Sequence, residues 1–314
     1  MGRVYVSLPL RGPSARAGRE VLRGVELAHA NRAMQVVVLD SSGADREAQA
    51  VANATRAAAD DAAVAYLGDF HSSQVHETAP ILGAADLVQV APVATRADLR
   101  GATLVRLMPH DGVGAQAVAA WLAEHGAREV LVVHDHDSDY GIPVGQMCVA
   151  AARARGLDVR HRPVWNHEED FAPDLGAAEA VLYVGVAGSG AVQMWSDLHA
   201  ANPELWLLGS EGVALEWLAR ELDPSTASRT RFFVSPRGPL ALYGFEAMTL
   251  TLDAVEENGA ERRRVFDTIR ATRDRDSVVG RYSLDEDRHT TIGYGRMAVV
   301  DGQLVWDLDA PPYD

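Results

Sequence analysis

Several strand-like runs of the sequence end in residues whose types and spacing suit binding chemistry. Residues 65–67 lead into Gly68-Asp69-Phe70-His71-Ser72-Ser73 and then a helical stretch. A helix N-terminus presents unpaired N–H groups and the positive end of its dipole. Ser72 and Ser73 could add hydroxyls there, making a site for an anion such as a carboxylate. Equally, one of the two could simply cap the helix. Residues 88–91 run into Pro92-Val93-Ala94-Thr95-Arg96; Thr95 either brings a hydroxyl and an N–H to the same anion or is an ordinary turn residue. Residues 205–208 run into Gly209-Ser210-Glu211-Gly212. Glu211 could accept hydrogen bonds from a ligand ammonium, or be the favourable acid of a helix's first turn.

Other constellations point to different chemistry. After Val132-Val133 comes His134-Asp135-His136-Asp137-Ser138-Asp139-Tyr140-Gly141. Alternating imidazole and carboxylate suits a metal, but further ligands would have to come from elsewhere, and His110-Asp111 is the other close cluster; a solvated turn is the alternative. Gly112-Val113-Gly114-Ala115-Gln116-Ala117 fits a G-x-G-x-x-A dinucleotide fingerprint, with Asp135 ending the next strand. That fingerprint should follow its strand directly, whereas residues 108–111 intervene and Arg106 interrupts the strand. No G-x-S-x-G elbow supports a hydrolase serine, and His71 beside Ser72 is not a dyad by adjacency.

The elements that must position these residues alternate in type. Short β-branched runs at 4–8, 35–40, 64–67 and 88–91 are separated by amphipathic runs at 15–30, 46–58 and 74–85. The pattern then restarts. Strands are expected at 103–107, 130–134, 159–164, 180–184, 205–208 and 232–235, and helices at 114–125, 144–155, 191–201, 243–257 and 261–273. Strands at 292–300 and 304–308 close the chain, joined by the hairpin signal Asp301-Gly302, before a loose tail at 310–314. Such alternation means βαβ units and parallel sheets covered on both faces. In those sheets ligands gather at the carboxyl ends of the strands.

Composition narrows the classes further. The 314-residue chain has 29 basic residues, every one of them Arg, against 44 acidic ones. Without Lys there is no Schiff-base chemistry and no phosphate loop ending in Gly-Lys-Ser/Thr. A single cysteine, Cys148, excludes an intrachain disulfide and a Cys-rich zinc site; on an Ala-rich helical stretch it reads as a small buried residue. A formal charge of −15 argues against nucleic acid or an anionic membrane as partner. No apolar run approaches the ~18 residues of a membrane span. The first residues read as a strand with no leader.

Taken in order, these motifs resemble the type I periplasmic binding proteins of the branched-chain amino acid transporter class, also called extracellular ligand-binding receptors. Residues 7–13 (Ser-Leu-Pro-Leu-Arg-Gly-Pro), Gly18 and Gly24-Val25-Glu26-Leu27-Ala28 look like the family's opening loop and first helix. Ala79-Pro80-Ile81-Leu82, followed by Pro92-Val93-Ala94-Thr95, resembles its cleft pattern. Val133-His134-Asp135 with Asp139-Tyr140-Gly141, then Gly209-Ser210-Glu211-Gly212-Val213 and Tyr243-Gly244-Phe245-Glu246-Ala247-Met248, continue the match.

The resemblance implies an α/β fold of two doubly wound, Rossmann-like lobes with parallel sheets, joined by three crossings. The expected lobes are residues 1–109 with 235–290, and 110–234 with 291–314. It implies binding rather than catalysis, no cofactor, a small amino acid or related amine-bearing carboxylate as ligand, and a membrane permease as partner. Ser72, and Val93 with Thr95, would hold the carboxylate, and Tyr140 and Glu211 the ammonium side; Ser73 stays a candidate from the helix start alone. Val186 stands where a second aromatic is common, and Leu240 where another is expected. Phe70 and His71 replace residues that are usually small or apolar, so leucine-like specificity does not carry over. The chain is also shortened at 171–175 and at 233–239. An extracytoplasmic location is expected, with the leader absent from this chain. The rival readings are a cytosolic amide or small-molecule sensor on the same fold, a nicotinamide dehydrogenase using Gly112 and Gly114, and a metallohydrolase using His134 and His136.

Overall fold

The computed structural model describes residues 2–135, 140–164, 171–186, 190–235 and 238–307. The chain divides into two units, Met1–His110 with Gly238–Ile292, and Asp111–Arg237 with Gly293–Asp314. Of the sequence features above, His136, Asp137, Ser138 and Asp139, Pro236 and Arg237, and residues 308–314 lie outside the described residues.

The first unit begins with β1 (Arg3–Leu8), α1 (Ala15–His29), β2 (Gln35–Asp40), α2 (Arg46–Ala58), β3 (Ala63–Leu67), α3 (Ser72–Ala84), β4 (Val88–Ala91) and β5 (Leu104–Arg106). The strands form one sheet in the order β2-β1-β3-β4-β5, every pair parallel. Strand β3 is buried at all five residues, Ala-Val-Ala-Tyr-Leu, as a strand covered on both faces must be. The order reverses between β1 and β3. Their carboxyl ends therefore flank the unit's topological switch point, where ligands of open α/β sheets bind. Residues 9–14 leave β1 there, and residues 68–71 leave β3.

The second unit contributes α4 (Asp111–Glu124), β6 (Glu129–Asp135), α5 (Gly141–Ala154), β7 (Asp158–Val164), α6 (Ala172–Leu175), β8 (Ala180–Val184), α7 (Gly190–Ala201) and β9 (Trp206–Gly209). A single 3₁₀ turn (Glu211–Val213), α8 (Glu216–Glu221), α9 (Pro224–Ser228) and β10 (Thr230–Val234) follow. The chain returns to the first unit for α10 (Leu240–Asn258) and α11 (Arg262–Arg270), then ends in the second with β11 (Gly295–Val300) and β12 (Gln303–Trp306). The second sheet runs β12-β11-β10-β9-β8-β6-β7. It is parallel from β10 to β7, with β11 and β12 added antiparallel. Its switch point lies between β6 and β8. Asp301 and Gly302 both take positive φ, 51° and 71°. That is the two-residue turn whose twist suits a hairpin.

Close helix packing holds the first unit together. A Cβ on Gly24 of α1 would lie 1.9 Å from the Ala241 carbonyl, and one on Gly244 of α10 would lie 2.0 Å from that of Val21. The two helices thus meet backbone to backbone. Arg262, opening α11, donates to the carbonyls of Ala58, Asp60, Ala63 and Ala85. It places a cation where α2 and α3 end, on the favourable side of both helix dipoles. Among the described residues no helix is long and apolar enough to cross a membrane.

Candidate functional site

In the first unit the turn from β3 into α3 is built on a buried carboxylate. Gly68 has φ +141°, and a Cβ on it would lie 2.4 Å from the Ser7 carbonyl; glycine alone lets the strand end approach β1 so closely. Asp69 follows, fully buried. It accepts hydrogen bonds from Ser7 Oγ at 2.6 Å, Tyr66 OH at 3.0 Å and Thr78 Oγ1 at 3.0 Å. Burial raises its carboxyl to about 6, with the three hydroxyls pulling the other way. Asn53 and Gln89 extend the network, donating to Ser7 Oγ and Thr78 Oγ1 at 3.1 and 2.8 Å. Asp69 thereby pins the loop that carries Phe70, His71 and Ser72.

The N-cap of α3 is His71, not Ser72 or Ser73 as the simple capping expectation had it. Its backbone N–H donates to Gln74 Oε1 at 3.4 Å. Gln74 Nε2 in turn reaches the Ser41 and Arg46 carbonyls, which anchors the helix start to β2 and α2. Capping by a residue outside the serine pair leaves both hydroxyls in the first turn. Ser72 Oγ accepts from the Arg96 N–H at 3.3 Å, so Ser72 and the segment after β4 meet. Thr95 is half-buried, and its hydroxyl has no hydrogen-bond partner among the described residues. Val93 sits in the first unit's core, so only its backbone is available. Ser73 Oγ donates to Glu47 Oε1 at 2.6 Å and faces α2. Phe70 packs on the core from its edge. His71 is half-buried, and burial, then the Arg46 charge, lowers its pKa.

In the second unit, Asp135 ends β6. It accepts from Tyr183 OH at 2.5 Å and from the Val186 N–H at 2.9 Å. Val186 itself is 58% exposed. Tyr140 packs against the core and lines a small interior cavity of about 20 Å³ with Asp111, Cys148 and Tyr294. Its hydroxyl bonds Ser210, and burial, then the nearby Glu211 and Asp111 charges, pushes its pKa up. Glu211 Oε2 accepts from the Ser235 N–H at 3.0 Å and from the Ser235 hydroxyl. Burial raises its pKa while those two bonds oppose the rise. Tyr140, Ser210 and Glu211 thus form one group at the carboxyl ends of β6 and β9.

The other constellations fare differently. Gly112 and Gly114 lie inside α4, and the preceding strand, β5, belongs to the other unit's sheet. A Cβ on Gly114 would strike the Tyr294 ring at 2.5 Å. The glycine makes room for a side chain, not a pyrophosphate, and the dinucleotide expectation is withdrawn. His134 Nδ1 lies 2.9 Å from the Asp135 carbonyl, with the His161 ring 4.7 Å from its own. Among the described residues no group of three His, Cys, Asp or Glu side chains is placed to hold a metal ion. Cys148 is buried in α5.

Sequence reasoning missed Asp69 as the hub of the β3–α3 turn and Asp135 as the acceptor for the loop after β8. It also missed Arg46 and Glu47, which reach the first turn of α3. The available signal for Asp69 was an acid set directly between a buried strand and a helix start. For the α2 pair there was none, because only the fold brings α2 beside α3.

Comparison with known proteins agrees with this architecture. A family model described as periplasmic binding protein matches residues 3–223. No match is found among the curated proteins. Among solved structures, the chain is similar to a leucine-binding protein from Thermotoga maritima, with 19% identity, a TM-score of 0.75 and 98% of each chain covered. It is similar to an ABC transporter substrate-binding protein from Desulfitobacterium hafniense in complex with Leu, with 19% identity, a TM-score of 0.79, and 97% of this chain and 99% of that one covered. A solute-binding protein of an ABC transporter from Rhodopseudomonas palustris, in complex with p-hydroxybenzoic acid, gives 17% identity, a TM-score of 0.75, and 97% and 95% coverage.

Proposed function

The chain belongs to the periplasmic binding protein family, and on that premise we propose that it is the solute-binding protein of an ABC transporter whose ligand is a small amino acid or a related amine-bearing carboxylate. The observation that carries the reading is the meeting of Ser72 Oγ with the Arg96 N–H at the N-terminus of α3. It brings the Ser72 hydroxyl, the segment that carries Thr95 and the first-turn N–H groups together at the carboxyl ends of β3 and β4, with no acid in that turn. A carboxylate is the ligand group that such a set stabilises. The ammonium is assigned to Glu211. Its Oε2 is held by Ser235, while Oε1 has no hydrogen-bond partner among the described residues; Tyr140 would cover it. Val186, at the end of β8, lines the second unit's side.

Binding works by shared contacts. A ligand held by residues of both units favours the state in which both sets of contacts are made, and the population shifts toward it. A membrane permease then recognises that state, outside the cytoplasm. Nothing in this scheme calls for a catalytic group. The test is Glu211→Gln, which keeps the shape and removes the charge. Calorimetry should give amino-acid binding at least tenfold weaker, with the fold intact by circular dichroism. Equal affinity would remove Glu211 from the site.

A further inference from the structure

Beside the α3 N-terminus the first unit has an open depression of about 460 Å³, entered from the loops that leave β1 and β2. Its lining includes two arginines, Arg11 and Arg46, with Ser14, Ser42 and His71. No Leu, Ile, Val, Met, Phe, Tyr or Trp side chain is part of it.

We propose that this depression receives a second acid group of the ligand, so that the solute is an amino acid with an acidic side chain or a close dicarboxylate analogue. The inference rests on the amino-acid reading above, and adds the class of side chain. Both guanidinium groups are fixed at one edge and open at the other. Arg11 Nε is held by Asp40 at 2.6 Å, and Arg46 Nε by Glu47 at 2.9 Å. Among the described residues, both terminal nitrogens of Arg11 and Nη1 of Arg46 have no hydrogen-bond partner. The two acids are themselves committed. Asp40 also accepts from the N–H groups of Leu10 and Ser42, and Glu47 from Ser73. The planar guanidinium fork matches a carboxylate and loses little entropy per hydrogen bond formed.

A further observation points to an anion. Ser14, the N-cap of the 15-residue α1, makes no side-chain cap bond, and the first turn of α1 has no acid. That helix end keeps its positive partial charge for an incoming anion. The depression adjoins the proposed carboxylate site through His71, which lines the one and precedes Ser72 in the other.

The test uses the full chain and three probes: glutamate, its neutral isostere glutamine, and glutarate, which has two acid groups and no amine. Calorimetric titration should give glutamate at least tenfold tighter than glutamine. In Arg46→Gln and Arg11→Gln, whose folding is checked by circular dichroism, the ratio of the two dissociation constants should fall toward one. Glutamine binding as tightly as glutamate, or a ratio that survives both substitutions, overturns the acid subsite and leaves the amino-acid reading standing. Glutarate binding that weakens in the arginine variants, with neither amino acid bound, does the reverse. Failure of all three probes to bind at ~1 mM, a standard free energy of only about −4 kcal/mol, overturns the acid subsite, and the amino-acid reading then stands or falls on the remaining amino acids.

Discussion

Asp69 offers a perturbation whose size can be worked out in advance. Its carboxylate is buried without a cationic partner in its hydrogen-bond set, and receives three hydroxyl hydrogen bonds. Burial outweighs those bonds and raises the group from 3.8 to about 6. At about 1.4 kcal/mol per pH unit, the folded protein favours the protonated form by about 3 kcal/mol relative to the unfolded chain. The folded state therefore binds the proton more tightly. The stability from this group is fully present below about pH 4, falls as pH rises through the interval to about 6, and is lost above it. Asp40, Glu47, Asp60 and Asp223 are shifted the other way, so they lose stability as pH falls toward their folded values and obscure the Asp69 effect in the wild type alone. Comparison with Asp69→Asn removes them. Between about pH 7.5 and about pH 5 the wild type should gain about 1 kcal/mol over the variant. All six tryptophans fall in the second unit, so fluorescence is the wrong probe. Urea unfolding followed by far-UV circular dichroism, with hydrogen exchange at the β1 and β3 amides, reads the first unit. Parallel pH profiles for the two proteins would refute the reasoning.

Other perturbations have equally definite outcomes. Burial pushes the Cys148 thiol up to about 12, so a thiol reagent at neutral pH should label the native protein far more slowly than the urea-unfolded chain; equal rates would mean the helix α5 face is open. Arg262→Ala removes four bonds to carbonyl oxygens and should destabilise the first unit by about 2 kcal/mol, seen as a lower urea midpoint. Gly24→Ala puts a methyl 1.9 Å from the Ala241 carbonyl. It should cost about 3 kcal/mol as α1 and α10 move apart, and wild-type stability would contradict their backbone contact. Ser72→Ala should weaken ligand binding about tenfold, or ~1.4 kcal/mol, by titration calorimetry.

Much of this architecture could be read along the chain. The run at 64–67, Val-Ala-Tyr-Leu, is wholly apolar between two helical stretches, and it becomes the fully buried β3. Asp301-Gly302 predicted a hairpin because both positions need positive φ, and the turn has that geometry. Local signals of this kind survive because they depend on a few adjacent residues. Serines at 72 and 73 resemble caps and put the expected start of α3 late, at 74, whereas the helix begins at Ser72. A histidine N-cap bound through Gln74 is set by the Ser41 and Arg46 carbonyls, which are near only in the fold. The Ser7–Asp69 bond spans 62 residues of sequence, and no periodicity announces it. Likewise the hydrogen bond that Ser73 donates to Glu47 depends on α2 lying beside α3. The inward packing of Tyr140 depends on Tyr294 arriving from the far end of the chain.

The reading as an amino-acid-binding protein is tested most directly by thermal unfolding of the purified chain across the amino acids and small dicarboxylates. A ligand present at about 100 times its dissociation constant adds ~2.7 kcal/mol of stability, an unmistakable shift in midpoint. A saturable shift with an amino acid, largest for one with an acidic side chain and lost in Glu211→Gln, is the expected result. A midpoint that no amino acid moves would contradict it.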